Sequence, residues 1–109
     1  MKTLHIIVAN KIATYSSRGG EIVCGNSDYA IEFSFDEEWD AYETKTARFI
    51  WGGKYVDKEF TGTVCPVPVL ENTTMLEVGV FVERLGSSAP ERLITTTTAI
   101  INCKKSIRC

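Results

Sequence analysis

Hydrophobic and polar residues alternate with a period of two along much of this chain, most plainly over residues 28–35. Tyr29, Ile31, Phe33 and Phe35 fall on one side of an extended backbone, and Asp28, Ala30, Glu32 and Ser34 on the other. That is the mark of a half-buried strand. An acidic turn follows, Asp36-Glu37-Glu38-Trp39-Asp40, with one large aromatic among carboxylates. Trp39 is expected to plug one end of a core while the carboxylates stay in water. Burying a side chain of that size stabilises by several kcal/mol, at about 25 cal/mol per Å² of apolar area. The chain resumes as a strand over residues 46–51.

The remaining pattern can be followed from the N-terminus. Residues 3–9 form a first strand with Leu4, Ile6 and Val8 on one face. Residues 10–20 are polar and contain Ser-Ser-Arg-Gly-Gly, a loop or hairpin tip. Arg18 with its two glycines has the makings of an anion nest, but a turn is the plainer reading. Residues 21–24 form a short strand, and Gly25-Asn26-Ser27-Asp28 a turn, because Gly and Asn tolerate positive φ. Gly52-Gly53 separates strands at 46–51 and 54–60 as a two-residue primed hairpin prefers. Gly62 and Thr63 break the chain again. Residues 64–70 are extended, and Pro66 and Pro68 remove ladder donors, which places this segment at a sheet edge.

Residues 75–83 form a strong strand, in which Leu76, Val78, Val80 and Val82 alternate with Glu77, Gly79 and Phe81. A connection follows at 86–90. A last long strand spans 92–102, centred on four consecutive threonines whose branched side chains favour extended backbone. Residues 104–109 form a short basic tail that could add an edge strand. Strands recur about every 8–12 residues with turn chemistry between them and no sustained helical period. The expectation is an all-β fold: an immunoglobulin-like antiparallel β-sandwich of seven to eight strands, in a single domain over residues 1–109.

Composition narrows the partners. The chain has 109 residues, 44% hydrophobic and 24% charged, as suits one globular domain with one modest core. A net charge of −2 offers no basic footprint, so neither nucleic acid nor an anionic membrane is expected. No apolar run approaches the roughly 20 residues of a membrane span. The opening MKTLHIIVAN reads as a strand, since the apolar run at 4–9 is short for a leader and contains His5; synthesis inside the cell is expected. Cys24, Cys65, Cys103 and Cys109 form no C-x-x-C pair, so a zinc knuckle is not indicated. Synthesis in a reducing compartment favours thiols. Cys24, Cys65 and Cys103 are expected to be small buried hydrophobes and Cys109 to be exposed.

Candidate chemistry is sparse. His5 is the only histidine, and any Ser-His-Asp or Cys-His set would have to use it. It lies on the face opposite Leu4, Ile6 and Val8, and nothing indicates its partners, so no catalytic residue is assigned. Asp36, Glu37, Glu38, Asp40 and Glu43 carry enough oxygens for Ca²⁺, but not the spacing of an EF-hand. A solvated acidic turn is the preferred reading. Paired carboxylates for glycoside cleavage would need a cleft that a chain this small has little room for. No Gly-rich loop opens a helix to cradle phosphate. No metal or cofactor is called for. Tyr42, Trp51 and Tyr55 make up the one candidate interaction surface, an aromatic platform for a sugar or a partner protein. Trp51 shares a face with Ala47 and Phe49, however, and reads first as core.

The series FSFDEEWDAY, KTARFIW, GGKYVDKEFTG, CPVPVL and VGVFV, then a Thr-rich strand and KKSIRC, resembles small structural domains encoded by phages and prophages of Gram-positive bacteria. Those domains are tail, baseplate or fibre-attachment proteins, and the likeness runs from Asp28 to Cys109. It implies a non-enzymatic virion structural or protein-interaction module with no active-site residues. Its partners would be other virion or host proteins, and a homo-oligomer is expected because virion proteins act in symmetric copies. The location implied is the virion, or the host cytoplasm during assembly. Two other readings fit the same residues: a free phage-encoded protein that inhibits a host defence protein, and a carbohydrate-binding module.

Overall fold

Alternating β-branched and aromatic residues build ten strands in the computed structural model, which describes residues 2–16, 21–85 and 90–107, the side chains of 84–85 and 90–93 excepted. They are β1 (Lys2–Ala9), β2 (Ile12–Tyr15), β3 (Ile22–Val23), β4 (Tyr29–Phe35), β5 (Thr44–Trp51), β6 (Lys54–Thr61), β7 (Val64–Pro66), β8 (Met75–Leu85), β9 (Pro90–Thr95) and β10 (Ala99–Lys104). One sheet runs β2-β1-β4-β7; the other runs β3-β10-β8-β5-β6, with β9 also paired to β8. The fold is therefore all-β, with two sheets around one core. Leu4, Ile6, Ile31 and Phe33 enter that core from the first sheet, and Ala47, Phe49, Leu76, Val78 and Ile101 from the second. No helix among the described residues is long and apolar enough to cross a membrane.

Several expectations change. The strands number ten among the described residues, not seven or eight, and the sheets are mixed. β1 pairs in parallel with β4, and β3 in parallel with β10. The parallel pairs arise because the chain leaves the first sheet after β2, lies beside β10 as β3, and returns as β4 alongside β1. The segment expected as a loop at 10–20 holds β2, which pairs with β1 through a tight turn at Asn10 (φ 52°) and Lys11 (φ 64°). Ala30, expected to face water, is buried between its cross-strand neighbours Thr3 and Pro66. The proline-bearing β7 does lie at a sheet edge. Arg18, most of the connection at 86–90, and Cys109 lie outside the described residues.

The threonine run is not the centre of a strand. β9 and β10 share one edge of β8, and the pairing slips between them: Phe81 opposes Thr95, whereas Val78 opposes Ala99. The extra residue is absorbed by threonine hydroxyls. Val80 N donates to Thr96 Oγ1 at 3.0 Å, in place of a ladder carbonyl. Thr97 turns toward the other sheet, where its N–H donates to the Lys11 carbonyl (2.9 Å) and its hydroxyl accepts from Ala13 N (3.1 Å). β2 is thereby stitched to the facing sheet. Branched side chains favour extended backbone, but here their hydrogen-bonding capacity decides the local shape.

Candidate functional site

The alternation of β5 turns Lys45, Ala47, Phe49 and Trp51 inward. Lys45 is 6% exposed and is the buried charged residue among the described residues. Its neighbours come from the acidic turn. After β4, Glu37–Trp39 forms a single 3-10 turn, closed by Trp39 N to Asp36 O and Asp40 N to Glu37 O. This folds Trp39 back until it is 1% exposed, with its ring 5.0 Å from that of Phe35. Phe35 stacks on Phe33 at 5.4 Å, and Phe33 on Phe60 at 5.3 Å, so the plug continues an aromatic column into the core. The turn is moored to the β1–β2 hairpin: Asn10 N donates to Asp36 Oδ2 at 2.9 Å, and Lys11 Nζ pairs with Glu38 at 2.6 Å.

Between this turn and the end of β5 lies a cleft of about 260 Å³, lined by Phe35, Trp39, Asp40, Tyr42, Lys45 and the Gly62–Thr63 turn. The Lys45 ammonium donates to the Gly62 carbonyl at 3.4 Å and lies 4.9 Å from the Phe35 ring centroid. Burial pushes its pKa below the ordinary lysine value, while the exposed carboxylates of Asp40 and Glu43 act the other way. The indole N–H of Trp39 finds no acceptor among the described residues.

A second surface covers the outer face of the larger sheet. Ile100, Glu77, Ile50 and Tyr55 form one row across β10, β8, β5 and β6. Ile100 is 53% and Tyr55 60% exposed, and exposed Met75 lies two residues along β8 from Glu77. In the next row Arg48 makes a two-pronged pair with Asp57 (2.8 and 2.9 Å). Its guanidinium lies 4.1 Å from the Tyr55 ring centroid and 5.2 Å from that of Phe81. The fork to Asp57 holds Arg48 within reach of both rings, which restrains an otherwise flexible side chain.

The expected aromatic platform does not assemble. Trp51 is buried, Tyr55 faces water, and Tyr42 lines the cleft beyond the other end of β5, roughly 25 Å of strand away. His5 sits on the outer face of the smaller sheet, opposite Glu32 in register, while Cys65 faces inward. Cys24, Cys65 and Cys103 are buried thiols, as expected. Desolvation raises Cys65 to about 11; with Cys24 and Glu21 adding to it, Cys103 rises to about 12. Among the described residues no three of His, Cys, Asp and Glu converge on one point.

Lys45 and Arg48 are the residues the sequence reading missed. Starting the strand at 46 cut Lys45 off from Ala47, Phe49 and Trp51. Carrying the alternation two residues back would have placed a lysine on the inner face. The chain matches no family model, and comparison with curated proteins and with solved structures gives no match.

Proposed function

We propose that this chain is a non-enzymatic protein-interaction module of a phage or prophage particle, associated with the tail, baseplate or fibre. The observation that carries the interaction role is the outer face of the larger sheet. Tyr55, Ile50 and Ile100 lie in one row, interrupted by Glu77, beside an arginine held by Asp57 and two rings. Tyrosine and arginine held in this way are the residue types that anchor protein interfaces. The phage assignment rests on the likeness of the strand-and-turn series from Asp28 to Cys109. An immunoglobulin-like reading is supported by the chain's size and two-sheet build, while the parallel β1–β4 and β3–β10 pairs count against it.

The charges on β6 limit the registers in which copies could pair through its open edge. A two-fold axis at Asp57 sets Asp57 against Asp57, and one at Glu59 sets Glu59 against itself. An axis at Lys58 opposes Lys58 to Lys58 and Asp57 to Glu59; one at Val56 opposes Lys54 to Lys58. Like charges directly opposite one another disfavour these four registers, whereas two-fold axes at Tyr55 or Phe60 oppose none.

The test is sedimentation of particles from an induced lysogen carrying a tagged chain. Wild type is expected to sediment with particles, and Tyr55→Ala to remain folded but stay in the soluble fraction. Wild-type protein found only free, bound to a host protein, would reject the virion role and favour the inhibitor reading.

A further inference from the structure

We propose that the cleft at the Lys45 end of the sandwich binds a carboxylate carried on a flat apolar stem, with Lys45 as its counter-charge and Phe35 and Trp39 as its walls. The Lys45 ammonium is short of partners among the described residues. It has three N–H groups to satisfy. The protein offers one carbonyl at 3.4 Å and the face of Phe35. Asp40 and Glu43 favour its charged form but make no ion pair with it among the described residues; both are exposed and keep their own hydration. A buried cation with so few contacts leaves a deficit that an incoming anion makes good.

The walls select the rest of the ligand. Phe35, Trp39 and Tyr42 line the cleft, and the buried indole N–H of Trp39 has no acceptor among the described residues. One cation matches a monoanion better than a phosphate dianion. A volume of about 260 Å³ is below the size of most small-molecule sites and suits a benzoate-sized group. The same chemistry has two sources: a free aromatic acid, or the terminal carboxylate of a partner polypeptide ending in an apolar residue.

Sodium benzoate and acetyl-glycyl-phenylalanine are the probes, each titrated into the ¹⁵N-labelled full chain. The Trp39 indole N–H is the reporter, and that of Trp51, at the far end of β5, is the control in the same spectrum. Saturable movement of the Trp39 signal alone is expected, with benzyl alcohol, which lacks the charge, producing none. Lys45→Met should weaken benzoate by roughly tenfold or more while the spectrum stays dispersed. Tighter binding of benzoate identifies a free acid as the source; tighter binding of the peptide identifies a chain terminus. The proposal is overturned if neither probe saturates, if benzyl alcohol acts like benzoate, or if folded Lys45→Met binds as wild type does. The comparison of benzoate with benzyl alcohol uses only the unmodified protein, so it holds even where Lys45→Met fails to fold.

Discussion

The two ends of the inner face of β5 are built from opposite chemistry. At the hairpin end Trp51 is buried in the core and the strand closes through Gly52 and Gly53 into β6. At the other end the same run of inward positions finishes with Lys45, which faces an open cleft under an acidic turn. Both ends hold a tryptophan whose indole N–H lacks an acceptor among the described residues, so the aromatic content does not distinguish them. What differs is closure. At one end a two-residue turn returns the chain beside β5 as β6, and Trp51 packs into the core. The other end is covered by residues 36–43, which reach across from a different sheet and leave space beneath. Alternation determines which side a residue faces; the covering segment determines whether that position is dry.

The strongest way to break this comparison is to remove the cover. Trp39 is 1% exposed and continues the Phe33–Phe35 column, so Trp39→Ala should destabilise by about 3–5 kcal/mol, measured by urea denaturation. A loss below about 0.5 kcal/mol would mean that the acidic turn docks without its plug, and the two ends would then differ for some other reason.

The buried Trp39 was legible because one large aromatic among carboxylates has little reason to lie in water. The Gly52-Gly53 hairpin was legible because its residue types are those the turn requires. Asn10 and Lys11 adopt the same left-handed backbone, but a lysine there carries no such signal, so the pattern alone does not reveal β2. The threonine run misled because strand propensity and side-chain hydrogen bonding point in opposite directions, and only the position of Lys11 and Ala13 on the facing sheet decides between them. The Lys45 cleft depends on segments far apart in sequence, β4, β5 and the turn at Gly62, whose convergence no local pattern encodes.

A smaller effect tests the charge itself. Lys45→Met keeps the length and apolar stem of the side chain while removing a desolvated ammonium. It should stabilise the protein by roughly 1–2 kcal/mol near neutral pH. The pH dependence has a definite sign. Burial lowers the pKa of Lys45 in the folded state, so the unfolded chain binds more protons as pH approaches 10.5 from below. Wild type therefore gains stability relative to Lys45→Met as pH rises through that window, and the advantage of the variant shrinks. The raised thiol pKa values of Cys65 and Cys103 lower stability above about 9 in both proteins and cancel in the difference. A gap between the two that stays flat with pH would show that the amine is hydrated and the cleft is not a desolvated site.

The smallest effect sharpens the comparison most, because it holds the backbone cost constant at the two ends. Gly53 (φ 77°) lies in the closing hairpin and Gly62 (φ 75°) beside the cleft; at neither would an added Cβ meet an atom within 4 Å. Alanine at either position thus carries only the penalty of left-handed backbone, about 1 kcal/mol. Gly53→Ala and Gly62→Ala should match in stability. They should differ in what they disturb, because the Gly62 carbonyl is the hydrogen-bond acceptor for Lys45. Gly62→Ala should move the Trp39 indole signal and weaken benzoate, while Gly53→Ala leaves both unchanged. Equal disturbance from both variants would mean that the two ends of β5 are coupled through the strand, and that the cleft is not a local feature of one end.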